Sequence, residues 1–116
     1  LLDDNSEEAT SLLIDSGTTA QLLRILTNER IVISKPVFRI GKEPTYSDYR
    51  VTNNDKVSRS HADIIQKDNR YFIRDLNSKN GTYINRQRIP TQQEIEIFDG
   101  NHITLANEEF EFNILL

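Results

Sequence analysis

The chain has 116 residues, the size of one ordinary domain, and at that length it can bury a core without metal or disulfide help. It contains no cysteine, which excludes a disulfide framework, a thiolate metal site and a cysteine nucleophile, and no apolar run approaches the roughly 20 residues of a membrane helix. Its net charge of −4 argues against nucleic-acid binding, where affinity comes mainly from many cations releasing phosphate counterions.

Residues 1–19 are acidic and rich in Ser and Thr, with one apolar island, Leu12-Leu13-Ile14, and are expected to form a tail or linker. The two opening leucines meet acid at once, unlike a secretory signal. A cytoplasmic setting without direct membrane contact is expected, either alone or as the cytoplasmic domain of a larger, membrane-anchored protein.

From residue 20 the texture is that of strands. Runs at 22–26, 30–34 and 37–40 flank a Thr27-Asn28-Glu29 turn and Lys35-Pro36. Residues 44–49 read as a loop. Alternating runs follow at 62–66 and 71–76 around Lys67-Asp68-Asn69, with shorter ones at 82–84, 95–97, 103–105 and 110–115. Asp99-Gly100 and Ala106-Asn107-Glu108 punctuate them. No window outside the tail has convincing helical periodicity, and turns every 8–12 residues point to an all-β antiparallel sandwich or barrel. The domain is expected to span residues 20–116.

Three polar, turn-forming patches interrupt these strands: Gly41-Lys42, Val57-Ser58-Arg59-Ser60-His61 and Asn77-Ser78-Lys79-Asn80-Gly81-Thr82. Residues 39–90 hold 11 of the 14 Lys and Arg but 6 of the 18 Asp and Glu, a net of +5, which leaves −9 on the rest. A basic island on an acidic chain, placed in loops that a sandwich gathers at one end, suits an anionic ligand.

The order of these patches, with Phe38-Arg39-Ile40 before the first and Tyr83-Ile84-Asn85 after the last, resembles the forkhead-associated (FHA) domain. The family pattern is Gly-Arg, then Ser-x-x-His, then Asn-Gly-Thr followed by Val or Ile and Asn. The similarity covers roughly residues 20–116 and is of a kind found in bacterial proteins. It implies an FHA/SMAD-like sandwich of about eleven strands that binds phosphothreonine proteins or peptides through loops at one end, with no cofactor. By resemblance, Ser58 and Arg59 contact the phosphate, Asn80 clamps the ligand main chain, and Lys79 and Ser78 assist from the same loop. Lys42 replaces the usual arginine, keeping the charge but losing the bidentate fork. Gly41, His61 and Gly81 are assigned structural support, Gly41 by letting the backbone turn sharply and His61 by bracing the serine loop.

These residues suit the role on chemical grounds. A phosphothreonine brings a charge of about −1.5 to −2 and three strong acceptors, so its receptor needs rigid cations and neutral donors. Choosing threonine over serine rests on one methyl, worth roughly 0.8 kcal/mol. Asn80-Gly81 is also the dipeptide that a type I′ turn prefers. At Asn85-Arg86 the family's usual Asn-Gly is broken. Arg86 must either reshape the turn or accept positive φ at a cost of order 1 kcal/mol, projecting toward solvent or toward the ligand.

Other functions use the same residues differently. Ser58 and His61 would serve as nucleophile and base in a hydrolase, but no Gly-x-Ser-x-Gly elbow is present. No metal site is expected, since His61 and His102 are the only imidazoles and lie in unrelated contexts. A phospho-independent scaffold or oligomerisation module on the same fold is a further alternative. Thr10, after Glu7-Glu8-Ala9, resembles the phosphoacceptor segments ahead of some bacterial FHA domains, so the chain's own phosphorylated tail is a candidate partner.

Overall fold

The computed structural model describes residues 18–115, and all of its regular structure there is strand. Eleven strands follow in order: β1 (Thr19–Arg24), β2 (Glu29–Val32), β3 (Val37–Gly41), β4 (Tyr49–Arg50), β5 (Ala62–Lys67), β6 (Arg70–Asp75), β7 (Thr82–Ile84), β8 (Gln87–Arg88), β9 (Ile95–Ile97), β10 (His102–Leu105) and β11 (Glu108–Leu115). They form two sheets, ordered β2-β1-β11-β10-β7-β8 and β4-β3-β5-β6-β9. This is the expected all-β sandwich. Its pairing is antiparallel except where β4 runs parallel to β3, Ile40 opposite Tyr49.

Period-two alternation explains the core. Ala20 and Leu22 of β1, Ile64 of β5, Tyr71 and Ile73 of β6, Ile103 and Leu105 of β10, and Phe110 and Phe112 of β11 are all buried. Tyr71 meets Phe112 edge-on at 5.4 Å between ring centroids, joining the two sheets. The same alternation carries three charged residues inward at one end of the sandwich: Arg24 after Ala20 and Leu22, Asp75 after Tyr71 and Ile73, and Glu108 before Phe110 and Phe112.

Tight turns close the hairpins. Lys67 pairs with Arg70 around Asp68 and Asn69, which take φ of +51° and +65°. Ile84 pairs with Gln87 around Asn85 and Arg86, at +48° and +71°. Arg86 therefore accepts the left-handed region and the turn is not reshaped. Asn85 holds it, its Oδ1 accepting the His102 N–H at 2.8 Å while its own N–H donates to the His102 carbonyl at 2.7 Å. The strand expected over 22–26 ends at Arg24, and Ile25 and Leu26 enter the turn that closes with Asn28 at φ +62°.

Candidate functional site

Three loops meet at the end of the sandwich where Arg24, Asp75 and Glu108 are buried: 42–48, 51–61 and 76–81. Between them lies an open cleft of about 890 Å³, lined by Lys42, Ser58, Arg59, Lys79 and Asn80 among others. Five of the six expected contact residues are thus brought together. Lys56, Asp55, Ser60 and Asn77 also line it. Lys56 was legible as part of the basic island, although no motif singled it out.

The first and second loops are joined backbone to backbone. The N–H groups of Lys42 and Glu43 donate to the carbonyls of Ser58 and Arg59, each at 3.1 Å. Gly41 makes this approach possible, because a Cβ there would stand 1.9 Å from the Arg59 carbonyl oxygen. Its role differs from the sharp turn expected from the sequence. Gly41 lies in strand β3, without positive φ, and what it supplies is the absence of a side chain.

His61 fixes the Ser58 loop from beneath. Its imidazole is fully buried, Nδ1 accepts the Ser58 N–H at 3.0 Å, and Nε2 bonds the Gly81 carbonyl at 2.9 Å. Since Nδ1 accepts, Nε2 must carry the proton and donate to Gly81. Burial pushes the imidazole below its ordinary pKa, only partly opposed by the Gly81 bond and by Asp75, so the neutral ring is favoured. Both nitrogens serve main-chain groups. The imidazole therefore does not act as a base toward the Ser58 hydroxyl, and the geometry gives the hydrolase reading no support.

The third loop is built around the buried Asp75 carboxylate. It accepts the Ser78 N–H at 3.0 Å, the Thr82 hydroxyl at 2.6 Å and the Ser78 hydroxyl. The Ser78 oxygen in turn accepts the Gly81 N–H at 3.0 Å. Ser78 is thus buried, faces inward and does not line the cleft; it shapes the loop that presents its neighbours. Gly81 has φ +88°, and a Cβ there would meet the Arg88 guanidinium at 2.7 Å. In the Asn80-Gly81 pair only the glycine takes positive φ, so this dipeptide does not form the type I′ turn it suggests; paired positive φ occurs at the hairpin turns Asp68-Asn69 and Asn85-Arg86. The latter turn is at the opposite end of β7 from Asn80, and Arg86 is exposed there.

Unused hydrogen-bonding capacity faces the cleft. Ser58 Oγ accepts the Lys79 N–H at 3.1 Å, which joins the second and third loops and leaves the hydroxyl hydrogen to donate outward. Asn80 Nδ2 donates to the Lys56 carbonyl at 2.8 Å and its Oδ1 has no partner among the described residues. The Arg59 N–H makes no hydrogen bond there either, and Lys42 Nζ gives one, to the Asp55 carbonyl at 3.2 Å.

Charge distinguishes this cleft most sharply. Lys42, Lys56, Arg59 and Lys79 face it with a single carboxylate, Asp55, and among the described residues none of the four cations enters an ion pair. Elsewhere, Lys35 pairs with Asp48, Arg39 and Arg74 with Asp63, Lys67 with Glu94, and Arg70 with Glu96.

A buried network beneath the loops was not read from the sequence. Arg24 donates to Glu108 from Nε at 2.7 Å and from Nη2 at 3.1 Å, to the Thr52 carbonyl at 2.7 Å and to the Tyr49 hydroxyl at 3.1 Å. Asn54 Nδ2 donates to Glu108 at 2.8 Å, so the network grips the loop that carries Ser58. Burial by itself would raise the Glu108 carboxyl, but hydrogen bonds from Arg24 and Asn54 outweigh it and hold the carboxyl below its usual range. Burial and the bond it donates to Glu29 push Tyr49 up to about 12. The signal was the alternation itself, which points Arg24 and Glu108 inward with the core residues on either side. Thr10 lies outside the described residues.

Comparison with known proteins agrees with this geometry. The FHA domain family model matches residues 38–106. The transcriptional regulatory protein EmbR of Mycobacterium tuberculosis is 38% identical over 64 residues, covering 55% of this chain and 16% of EmbR. A structure of EmbR in complex with a low-affinity phosphopeptide superposes with a TM-score of 0.76 at 28% identity, covering 94% of this chain and 29% of that one. Protein FraH of Nostoc sp. is 32% identical over 95 residues, 76% of this chain and 33% of FraH. A solved FHA domain described by phosphothreonine-dependent interactions gives a TM-score of 0.72 at 25% identity, covering 82% of this chain and 95% of its own. The chain thus spans a third or less of the length of these curated relatives. On the family match over most of the sandwich and on the loop geometry it predicts, the chain belongs to the FHA domain family.

Proposed function

We propose that this domain binds phosphothreonine-containing segments of partner proteins in Ser/Thr-kinase signalling, without catalysis, through the cleft between its three loops. One observation carries the reading: four cations that form no ion pair among the described residues converge on one cleft with the free donors of Ser58 and Arg59, whereas Lys35, Arg39, Lys67, Arg70 and Arg74 elsewhere each pair with a carboxylate. A phosphate dianion supplies the missing charge, and Asn80 Oδ1 is placed to accept a main-chain N–H of the ligand. The phosphopeptide complex of EmbR and the phosphothreonine dependence of the second FHA domain support the same assignment. The module comprises residues 20–116 with 1–19 as its lead-in, and its setting is cytoplasmic.

Titration with phosphothreonine peptides, against phosphoserine and unphosphorylated counterparts, tests this. The phosphothreonine peptide binds most tightly and Arg59→Ala lowers its affinity at least about tenfold, the value of one charge-assisted hydrogen bond. Equal affinity for phosphorylated and unphosphorylated peptides, or an indifferent Arg59→Ala, defeats the proposal. Thr10 is the candidate internal ligand. Treatment with a threonine kinase should modify it and weaken binding of added peptide, whereas an unmodified Thr10 or unchanged affinity removes that role.

A further inference from the structure

We infer that the ligand surface continues beyond the phosphate cleft to the exposed pair Ile25 and Leu26, and that partner segments carry a large apolar residue which packs there. This rests on the phosphothreonine reading of the cleft. The cleft shares Lys56 and Asn80 with a smaller cavity of about 220 Å³, completed by Ala106 and Asn107. Asn107 in turn borders a third cavity of about 370 Å³, which it shares with Ile25, Leu26, Asn53, Asn54, Glu108 and Glu109. Each depression shares a wall with the next, so one path leads from Ser58 to Leu26 across the end of the sandwich.

The far end of this path displays an apolar pair on a firmly held turn. Leu26 is 82% exposed and Ile25 46% exposed, side by side in the turn between β1 and β2. That turn is not loose: the Ile25 N–H donates to the Glu109 carbonyl at 3.0 Å and the Asn28 N–H to the Arg24 carbonyl at 2.8 Å. Directly below, Arg24 is clamped to Glu108. An aliphatic surface displayed on a fixed turn loses little freedom when it is covered.

The middle of the path suits a peptide main chain. Asn107 Oδ1 accepts from Asn54 Nδ2 at 2.9 Å, which orients the Asn107 amide and leaves its own N–H groups to meet a ligand carbonyl. The path therefore offers cations at the phosphate, an amide for the backbone between, and an apolar platform at the end. A single extended segment satisfies all three. The occupant is the phosphothreonine ligand itself, by continuity with the cleft.

The test is a peptide library with one fixed phosphothreonine and degenerate flanks, sorted on the unaltered domain and on Leu26→Asp and Leu26→Ser. The unaltered domain enriches leucine, isoleucine, methionine or phenylalanine at one fixed distance from the phosphothreonine. Both variants lose that enrichment and bind the selected peptide about fivefold to thirtyfold more weakly, as expected for uncovering much of one aliphatic side chain. A phosphothreonine flanked only by alanine binds all three proteins alike. No apolar enrichment, or one that survives both substitutions, overturns the inference while leaving the cleft reading intact. Should the unaltered domain retain no phosphothreonine peptide above its unphosphorylated counterpart, the cleft reading fails and the extension falls with it. Unchanged thermal unfolding of the two variants excludes a folding defect, as the exposure of Leu26 leads one to expect.

Discussion

Gly41→Ala tests whether the site depends on a close approach of backbones or on a turn. The new Cβ would lie 1.9 Å from the Arg59 carbonyl oxygen, where ordinary contact begins near 3.4 Å, so the Ser58–Arg59 loop must retreat by about 1.5 Å. The bonds from Lys42 and Glu43 to the Ser58 and Arg59 carbonyls are 3.1 Å long. A retreat of that size stretches both past about 4 Å, beyond hydrogen-bonding range. Two lost bonds at about 1 kcal/mol each, with residual overpacking, give a destabilisation of about 2–4 kcal/mol. That is a large share of a stability of about 5–15 kcal/mol for a domain of this size. Urea unfolding measures it, and Gly100→Ala is the control: Gly100 has φ +86° but open space around its Cβ position, so it should cost about 1 kcal/mol and leave binding alone. Phosphothreonine-peptide affinity in folded Gly41→Ala should fall at least about tenfold, because Ser58 and Arg59 no longer point where they did. A Gly41→Ala protein within about 0.5 kcal/mol of the parent, with unchanged affinity, would refute the argument.

Other outcomes follow from the same contacts. His61 has a lowered folded pKa, so the unfolded chain takes up its proton first. Its contribution to stability is complete above the ordinary histidine value near 6.5 and is lost progressively as pH falls from there toward the folded value; NMR titration should show the His61 ring uncharged at pH 6.5, and a ring titrating at or above that pH contradicts the burial argument. Arg24→Ala strands the Glu108 carboxylate in the interior and should cost about 3–5 kcal/mol in urea unfolding, while Glu108→Gln, which keeps a hydrogen-bonding partner for Arg24, should cost less. Lys42→Arg restores the planar fork and should tighten phosphothreonine-peptide binding about twofold to tenfold by isothermal calorimetry; weaker binding would show that the lysine is fitted to the Asp55 carbonyl it now holds.

The sandwich was legible because alternation and turn residues agree along most of the chain. The run at 62–66 falls within β5, the run at 71–76 overlaps β6 and overshoots its end by one residue, and Asp68-Asn69 forms the turn between them. Strands β4 and β8 have two residues each and present no period to detect. Boundaries shifted where composition and backbone disagree: Ile25 and Leu26 are apolar enough to prolong a strand, but the chain must turn to close on Asn28. The candidate site was legible as a set of residue types, and direction was not. Ser78 and Ser58 look equivalent in sequence, both polar and both in turns. One is drawn inward because Asp75, three residues earlier, needs donors for a buried carboxylate; the other keeps a hydrogen to give because its oxygen is occupied by the Lys79 N–H. Likewise nothing local tells that Gly41 is required by a carbonyl 18 residues away.

The arrangement of charge explains why the loops need so much support. Four like charges around one cleft repel, and among the described residues none is paired with a carboxylate that would neutralise it. Left to themselves, loops carrying them would spread apart, and an anion would have to gather them at an entropic cost. Here that gathering is already done by groups that never meet the ligand. Neutral His61 bonds the Ser58 loop to Gly81 without adding a fifth cation, Asp75 folds the Lys79–Asn80 loop, and the Arg24–Glu108 pair anchors the chain between Val51 and Val57 through the Thr52 carbonyl and Asn54. The buried charges beneath the loops are therefore paired or saturated with donors, while the four cations of the cleft pair with no carboxylate among the described residues. Folding free energy spent on the first group lowers the ordering cost for the second, so phosphate binding can draw on nearly all of the attraction the cleft supplies.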